Sequence, residues 1–135
     1  MERHCANAQT IAEFLQTQPD VEFIHYPGLQ DDRYHALAQK YLPNGCCGVI
    51  SFSIKGGRER AANFIDHLKL VSLEVHVADI RTCILHPASS THRQLSDEQL
   101  VNCGITPGLI RLSCGIENVE DILDDLKQAF ASIQE

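Results

Sequence analysis

The strand-like run over 48–54, Gly-Val-Ile-Ser-Phe-Ser-Ile, constrains the fold more than any other part of this chain. Ile50, Phe52 and Ile54 point one way while Val49, Ser51 and Ser53 point the other, the period of two that marks a strand. Gly56-Gly57 breaks it. Ala61, Phe64, Ile65 and Leu68 then recur at helical spacing, so a helix follows the strand at once.

The same change of period repeats along the sequence. Cys5, Ala8, Ile11, Ala12 and Leu15 predict a helix over 3–17, and Val21 to Tyr26 alternates as a short strand closed by Pro27-Gly28. Tyr34, Leu37, Ala38 and Tyr41 make a second helical stripe that ends at Pro43-Asn44-Gly45. Residues 70–85 hold two short strand-like runs with a polar stretch between them. Ser96-Asp-Glu-Gln99 has the form of a capping box and starts a short helix. Residues 109–114 read as a strand. Val119, Ile122, Leu123, Leu126, Phe130 and Ile133 give a strongly amphipathic last helix, with Glu120 and Asp121 at its electropositive first turn. The chain has 135 residues, 44% of them apolar, which suits one core and one domain over 1–135. The expected fold is an α/β (α+β) two-layer sandwich, with a mixed sheet of about four strands and helices on one face.

Charge and composition narrow the partners. A net charge of −7 argues against nucleic acid and against an anionic membrane surface. No apolar run approaches the roughly 20 residues that span a bilayer, and the N-terminus lacks a basic stretch followed by an apolar one. Of the six cysteines, Cys46 and Cys47 are adjacent and several others sit inside apolar patterns. Reduced thiols in a cytoplasmic protein are the expectation.

Arg111 is the first candidate for chemistry. In the strand 109–114, Ile110, Leu112 and Cys114 share one face, and Arg111 and Ser113 share the other. An arginine in a strand needs an anionic partner if it is buried. That partner is either one of the 18 acidic residues or the carboxylate of a ligand, which suits the bidentate guanidinium fork. His86 and His92 flank a Pro-Ala-Ser-Ser-Thr loop, and hydrogen bonds within that loop account for them better than a metal does. Cys83 and His86 lack a second Cys/His pair at ligand spacing. Nothing selects a Cys–His nucleophilic pair. The glycines form neither G-x-G-x-x-G nor a P-loop.

A series of motifs in order goes further. Tyr26-Pro-Gly-Leu29, Ala38-Gln-Lys-Tyr-Leu-Pro43, Ile54-Lys-Gly-Gly-Arg58, Phe64-Ile-Asp66 with Leu68-Lys-Leu70, His86-Pro-Ala-Ser-Ser-Thr-His-Arg-Gln-Leu95, Gly104-Ile-Thr-Pro107 and Arg111-Leu-Ser-Cys-Gly-Ile-Glu117 run from about residue 2 to about residue 130. Together they resemble the C-terminal domain of the Cys/Met-metabolism family of enzymes that depend on pyridoxal phosphate (PLP), nearest to its O-acetylhomoserine sulfhydrylase branch. The resemblance implies the small domain of a fold-type I PLP enzyme. It implies that Arg111 holds the α-carboxylate of an amino-acid substrate, an activated homoserine, and that Thr91 lines the substrate side of the pocket. Leu73 to Thr82 matches a loop beside the catalytic lysine and the cofactor, which places His76 and Asp79 among the substrate-binding residues.

The chain also departs from the family's pattern. Its loop reads His76-Val-Ala-Asp79, where the sulfhydrylases show Asn-Val-Gly-Asp. Alanine at 78 would disturb a backbone that needs positive φ or close approach. None of Lys40, Lys55, Lys69 and Lys127 follows a threonine as the Schiff-base lysine of the family does. No catalytic residue, cofactor-binding residue or metal ligand is therefore expected within the chain. PLP would be held in the full-length family enzyme by a large domain supplied in cis or in trans, and Met1 falls where family chains carry a similar run in their interior. The expected protein is the C-terminal domain of such an enzyme, inactive alone. The alternative is a stand-alone carboxylate-binding or regulatory module derived from it. In either form a homo-oligomer is expected, because the face turned to the large domain would be exposed.

Overall fold

The computed structural model describes residues 1–134. At the centre lies β2 (Val49–Ile54), paired antiparallel with β1 (Val21–His25) on one side and β5 (Leu109–Ser113) on the other. Beyond β5 comes β4 (Cys83–Leu85), also antiparallel, and then β3 (Ser72–Leu73), which is parallel to β4. The order is β1-β2-β5-β4-β3. The sheet is mixed, as the sequence led one to expect, and has five strands, the smallest being the two-residue β3.

Helix α1 (Glu2–Gln16) lies within one residue of the expected 3–17, α5 (Val119–Ser132) carries the expected last stripe, and α3 (Gly57–Asp66) begins four residues before Ala61 and ends before Leu68. α1 and α3 pack on the sheet, and α5 packs on both of them. Their apolar stripes join Ile50, Phe52, Ile54, Ile110 and Leu112 in one core cluster. Phe64 sits at its middle, edge-on to Phe52 at 6.3 Å and 4.5 Å from the ring of Phe130. Burying such a ring contributes on the order of 2–3 kcal/mol. The capping box forms as read: Ser96 Oγ accepts the Gln99 N–H, and Gln99 Oε1 accepts the Ser96 N–H at 2.9 Å, starting α4 (Asp97–Asn102).

The second helix, α2 (His35–Tyr41), forms but does not bury its stripe. Tyr34, Leu37 and Tyr41 are about half exposed or more, and only Ala38 is buried. Asp32 fastens its entry, accepting the N–H of Tyr26 at 3.1 Å and of Tyr34 at 2.8 Å. Helical spacing forecast the helix but not what it would pack against, and seven residues present too little surface to join the sandwich.

The opposite face of the sheet carries polar side chains together with Val49 and Leu85. The strand register sets His25, Ser51, Arg111 and Leu85 in one row across β1, β2, β5 and β4. This face positions the site.

Candidate substrate-carboxylate site

Strand alternation assigns the roles within Arg111–Glu117. Leu112 and Cys114 are fully buried in the core, so Arg111 and Ser113 emerge on the other face. Both fasten the segment that connects β3 to β4. Arg111 Nη2 donates to the Val75 carbonyl at 2.7 Å, and Ser113 Oγ accepts the Ala78 N–H at 3.0 Å. Next comes Gly115, where a Cβ would drive into the Ile80 carbonyl and the Arg81 backbone. Only glycine lets the strand end and the loop meet there. Glu117 then grips Thr82, accepting its N–H at 2.6 Å and its hydroxyl at 2.8 Å. The Thr82 oxygen in turn accepts the Gly115 N–H at 2.9 Å. From α1, the buried Asn7 amide donates to the Gly115 and Glu117 carbonyls, each at 3.0 Å. The motif is thus a fastening that holds the 74–82 loop over the end of β5. The roles of Glu117 and Asn7 were not foreseen, although Glu117 stands in the quoted motif.

The loop is built from charges. Glu74 lies 2.7 Å from His76 Nδ1 and 3.0 Å from Arg81 Nη1. Asp79 accepts the Arg81 N–H at 3.0 Å and lies 3.7 Å from His76 Nδ1. The Arg81 backbone N–H, then its guanidinium, hold the Asp79 carboxyl below its ordinary range, and the Asp79 and Glu74 carboxylates hold the Arg81 guanidinium above its own. At the apex, Ala78 has φ +59°, the only non-glycine with positive φ among the described residues. Alanine occupies a left-handed position that glycine fills without strain.

Arg111 itself has spare donors. Among the described residues it forms no ion pair, and its buried Nε has no hydrogen-bond partner. The salt bridge that sequence alone left open does not form. A buried, unmatched donor costs on the order of 1–3 kcal/mol, which an incoming anion would recover.

Thr91 lies apart from this cluster. It is exposed, its hydroxyl bonded to His92 Nδ1 at 2.9 Å, and among the described residues no hydrogen bond joins it to Arg111, His76 or Asp79. Its loop is held from α3 by Arg58, which donates to the carbonyls of Ala88 and Leu95 and pairs with Asp97 at 2.8 Å. His86 is buried between Ser89 Oγ at 2.8 Å and the Pro107 carbonyl at 2.7 Å, and burial pushes its pKa down.

Other chemistry finds little support. Among the described residues, no three His, Cys, Asp or Glu side chains are grouped to hold a metal. All six cysteines are free. Burial pushes the Cys46 thiol up to about 11 and raises Cys83 and Cys114, which makes these thiols poor nucleophiles at neutral pH. A concavity of about 610 Å³ lined by Gln9, Glu13, His35 and Gln39 lies between α1 and the 28–39 segment, not at Arg111. No helix is long and apolar enough to cross a membrane among the described residues.

Residues 1–131 match the family model described as Cys/Met metabolism PLP-dependent enzyme. An O-acetyl-L-homoserine sulfhydrylase of Leptospira meyeri is 48% identical over 134 residues, covering 98% of this chain and 30% of that protein. An L-methionine gamma-lyase of Fusobacterium nucleatum subsp. polymorphum is 46% identical over 133 residues, covering 98% and 33%. A crystal structure from Campylobacter jejuni, described as an O-acetylhomoserine (thiol)-lyase with N′-pyridoxyl-lysine-5′-monophosphate, superposes with a TM-score of 0.86 at 43% identity, over 96% of this chain and 31% of that one. The chain spans about a third of the length of these relatives.

Proposed function

This chain belongs to the Cys/Met metabolism PLP-dependent enzyme family, and we propose that it forms the C-terminal, carboxylate-binding domain of an O-acetylhomoserine sulfhydrylase-like enzyme. The observation that carries this is Arg111: a strand arginine with no carboxylate partner, one Nη2 bond to a carbonyl, and a buried Nε that bonds nothing among the described residues. A substrate α-carboxylate would accept two parallel hydrogen bonds from it. Thr91 would line the substrate side, and Asp79 would shape the loop through Arg81.

The residues of this chain do not fit PLP by themselves. A resident cofactor needs a lysine for its Schiff base and donors for its phosphate. Lys55 donates to the Pro19 carbonyl, Lys127 pairs with Asp124, Lys40 lies over the Tyr41 ring, and Lys69 is exposed beside the turn that Asp125 holds. None is set beside Arg111. When bound in the complete enzyme, PLP supplies the electron sink for the chemistry at the substrate. This chain binds and orients the carboxylate end, and alone it is inactive in the family reaction.

Exposed Leu73, Val75, Val77 and Ile80 lie on and beside the Arg111 loop. Such a patch supports a covering partner, here the lysine-bearing domain in cis or trans, within a homo-oligomer.

The test is Arg111→Gln in the PLP-loaded enzyme that carries this sequence. The kcat/KM for O-acetylhomoserine should fall by roughly 10–100-fold, chiefly through KM. An unchanged KM would show that another group holds the carboxylate.

A further inference from the structure

We infer that His76 is the residue that takes the proton from the incoming thiol, with Glu74 fixing its ring. The inference rests on the sulfhydrylase reading above and assigns one step within it.

The geometry begins with the ring nitrogens. Nδ1 lies 2.7 Å from a Glu74 carboxylate oxygen, which can only accept, so Nδ1 carries the proton. That leaves the lone pair on Nε2. Nε2 makes no hydrogen bond among the described residues, and the side chain is 58% exposed.

The second element is placement. One residue before His76, the Val75 carbonyl takes the Arg111 guanidinium at 2.7 Å. Two residues after it, the Ala78 N–H is tied to Ser113 at 3.0 Å. The backbone on both sides of His76 is therefore tied to the strand that carries the proposed carboxylate clamp. The left-handed backbone at Ala78, with φ +59°, is strain at the apex of this same loop. Strain that persists at one place is a pointer to function.

The third element is charge. Glu74 and Asp79 both face Nδ1, and both also engage Arg81. Arg111 approaches from β5.

A thiol is mostly protonated at neutral pH, and the thiolate is the nucleophile. In the step assigned here the S–H bond breaks, the proton passes to Nε2, and sulfur keeps the electron pair as thiolate. The imidazolium later gives the proton to solvent, which the exposed ring can reach. No oxidant or reductant is needed. A positioned base of this kind contributes about 10²–10⁴-fold to the step it serves.

Two measurements test the inference. In the 135-residue chain, the ¹⁵N shifts of the His76 imidazole should report the Nδ1–H tautomer, and Glu74→Gln should reduce its population. The opposite tautomer in the wild type would overturn the assignment. In the PLP-loaded enzyme, His76→Asn should slow product formation from an alkanethiol about 100-fold, and much less from a more acidic aromatic thiol. Acetate release measured without thiol should fall far less than product formation does. Equal losses with both thiols, or a matching loss of acetate release, would mean that His76 only shapes the loop, and the inference fails. A wild-type enzyme that does not turn over O-acetylhomoserine would instead remove the function proposed above, and this step with it.

Discussion

Ala78 donates its backbone N–H to the Ser113 hydroxyl at 3.0 Å while holding φ at +59°. The left-handed region costs a residue with a Cβ roughly 1–2 kcal/mol, so the hydrogen bond to a buried serine keeps a strained turn in place. Part of that strain is removable. Ala78→Gly should raise the unfolding free energy by about 1 kcal/mol, read as a higher urea midpoint at unchanged slope. A lower midpoint would mean that the alanine methyl makes contacts worth more than the strain.

Glu117 is the other end of the same fastening, accepting both the N–H and the hydroxyl of Thr82 at 2.6 and 2.8 Å. Thr82 is fully buried, so removing the carboxylate strands both donors. Glu117→Ala should cost about 2–4 kcal/mol and speed amide exchange across residues 74–82 more than in β2. Uniform acceleration through the whole chain would show that the loop has no separate tether.

Asp125 does on α5 what Glu117 does beyond the end of β5. Buried in the last helix, it accepts the backbone N–H groups of Lys69, Leu70 and Val71, each at 2.9 Å. These bonds hold the turn that leads into β3. Asp125→Ala leaves three donors unmatched and should destabilise the chain by at least about 3 kcal/mol. Asp125→Asn keeps one acceptor oxygen and should cost less. Equal losses in thermal midpoint for the two would argue against this account.

Much of the scaffold was legible because a period fixes it locally. The alternation in 48–54, the stripes of α1, α3 and α5 and the Ser96 capping box each depend on neighbours a few residues away. The face of Arg111 was legible for the same reason. Its lack of a carboxylate partner was not, since 18 acids could have reached it, and only the tertiary fold shows Glu74 and Asp79 committed to Arg81. Asp125 was hidden too: on an amphipathic helix it reads as one more surface carboxylate, and its partners lie more than fifty residues away. Ala78 was flagged by its place in the motif, but its positive φ belongs to the folded loop.

His86 gives the chain a pH dependence of definite sign. The Pro107 carbonyl can only accept, so Nε2 donates to it at 2.7 Å, and Nδ1 accepts from the Ser89 hydroxyl at 2.8 Å. The neutral ring is fully satisfied. Burial first, and the Arg58 guanidinium second, disfavour a second proton, which outweighs the help of the Pro107 carbonyl and puts the folded pKa below the ordinary 6.5. The unfolded chain therefore binds the proton first as pH falls. Stability from this residue is full above about 6.5 and declines from there down to the folded pKa. Unfolding free energies at pH 7.5 and pH 5.5 should differ more in the wild type than in His86→Gln, which keeps a donor for Pro107 but cannot titrate. An identical drop in both would assign the acid sensitivity to other groups and leave His86 protonated no more readily unfolded than folded.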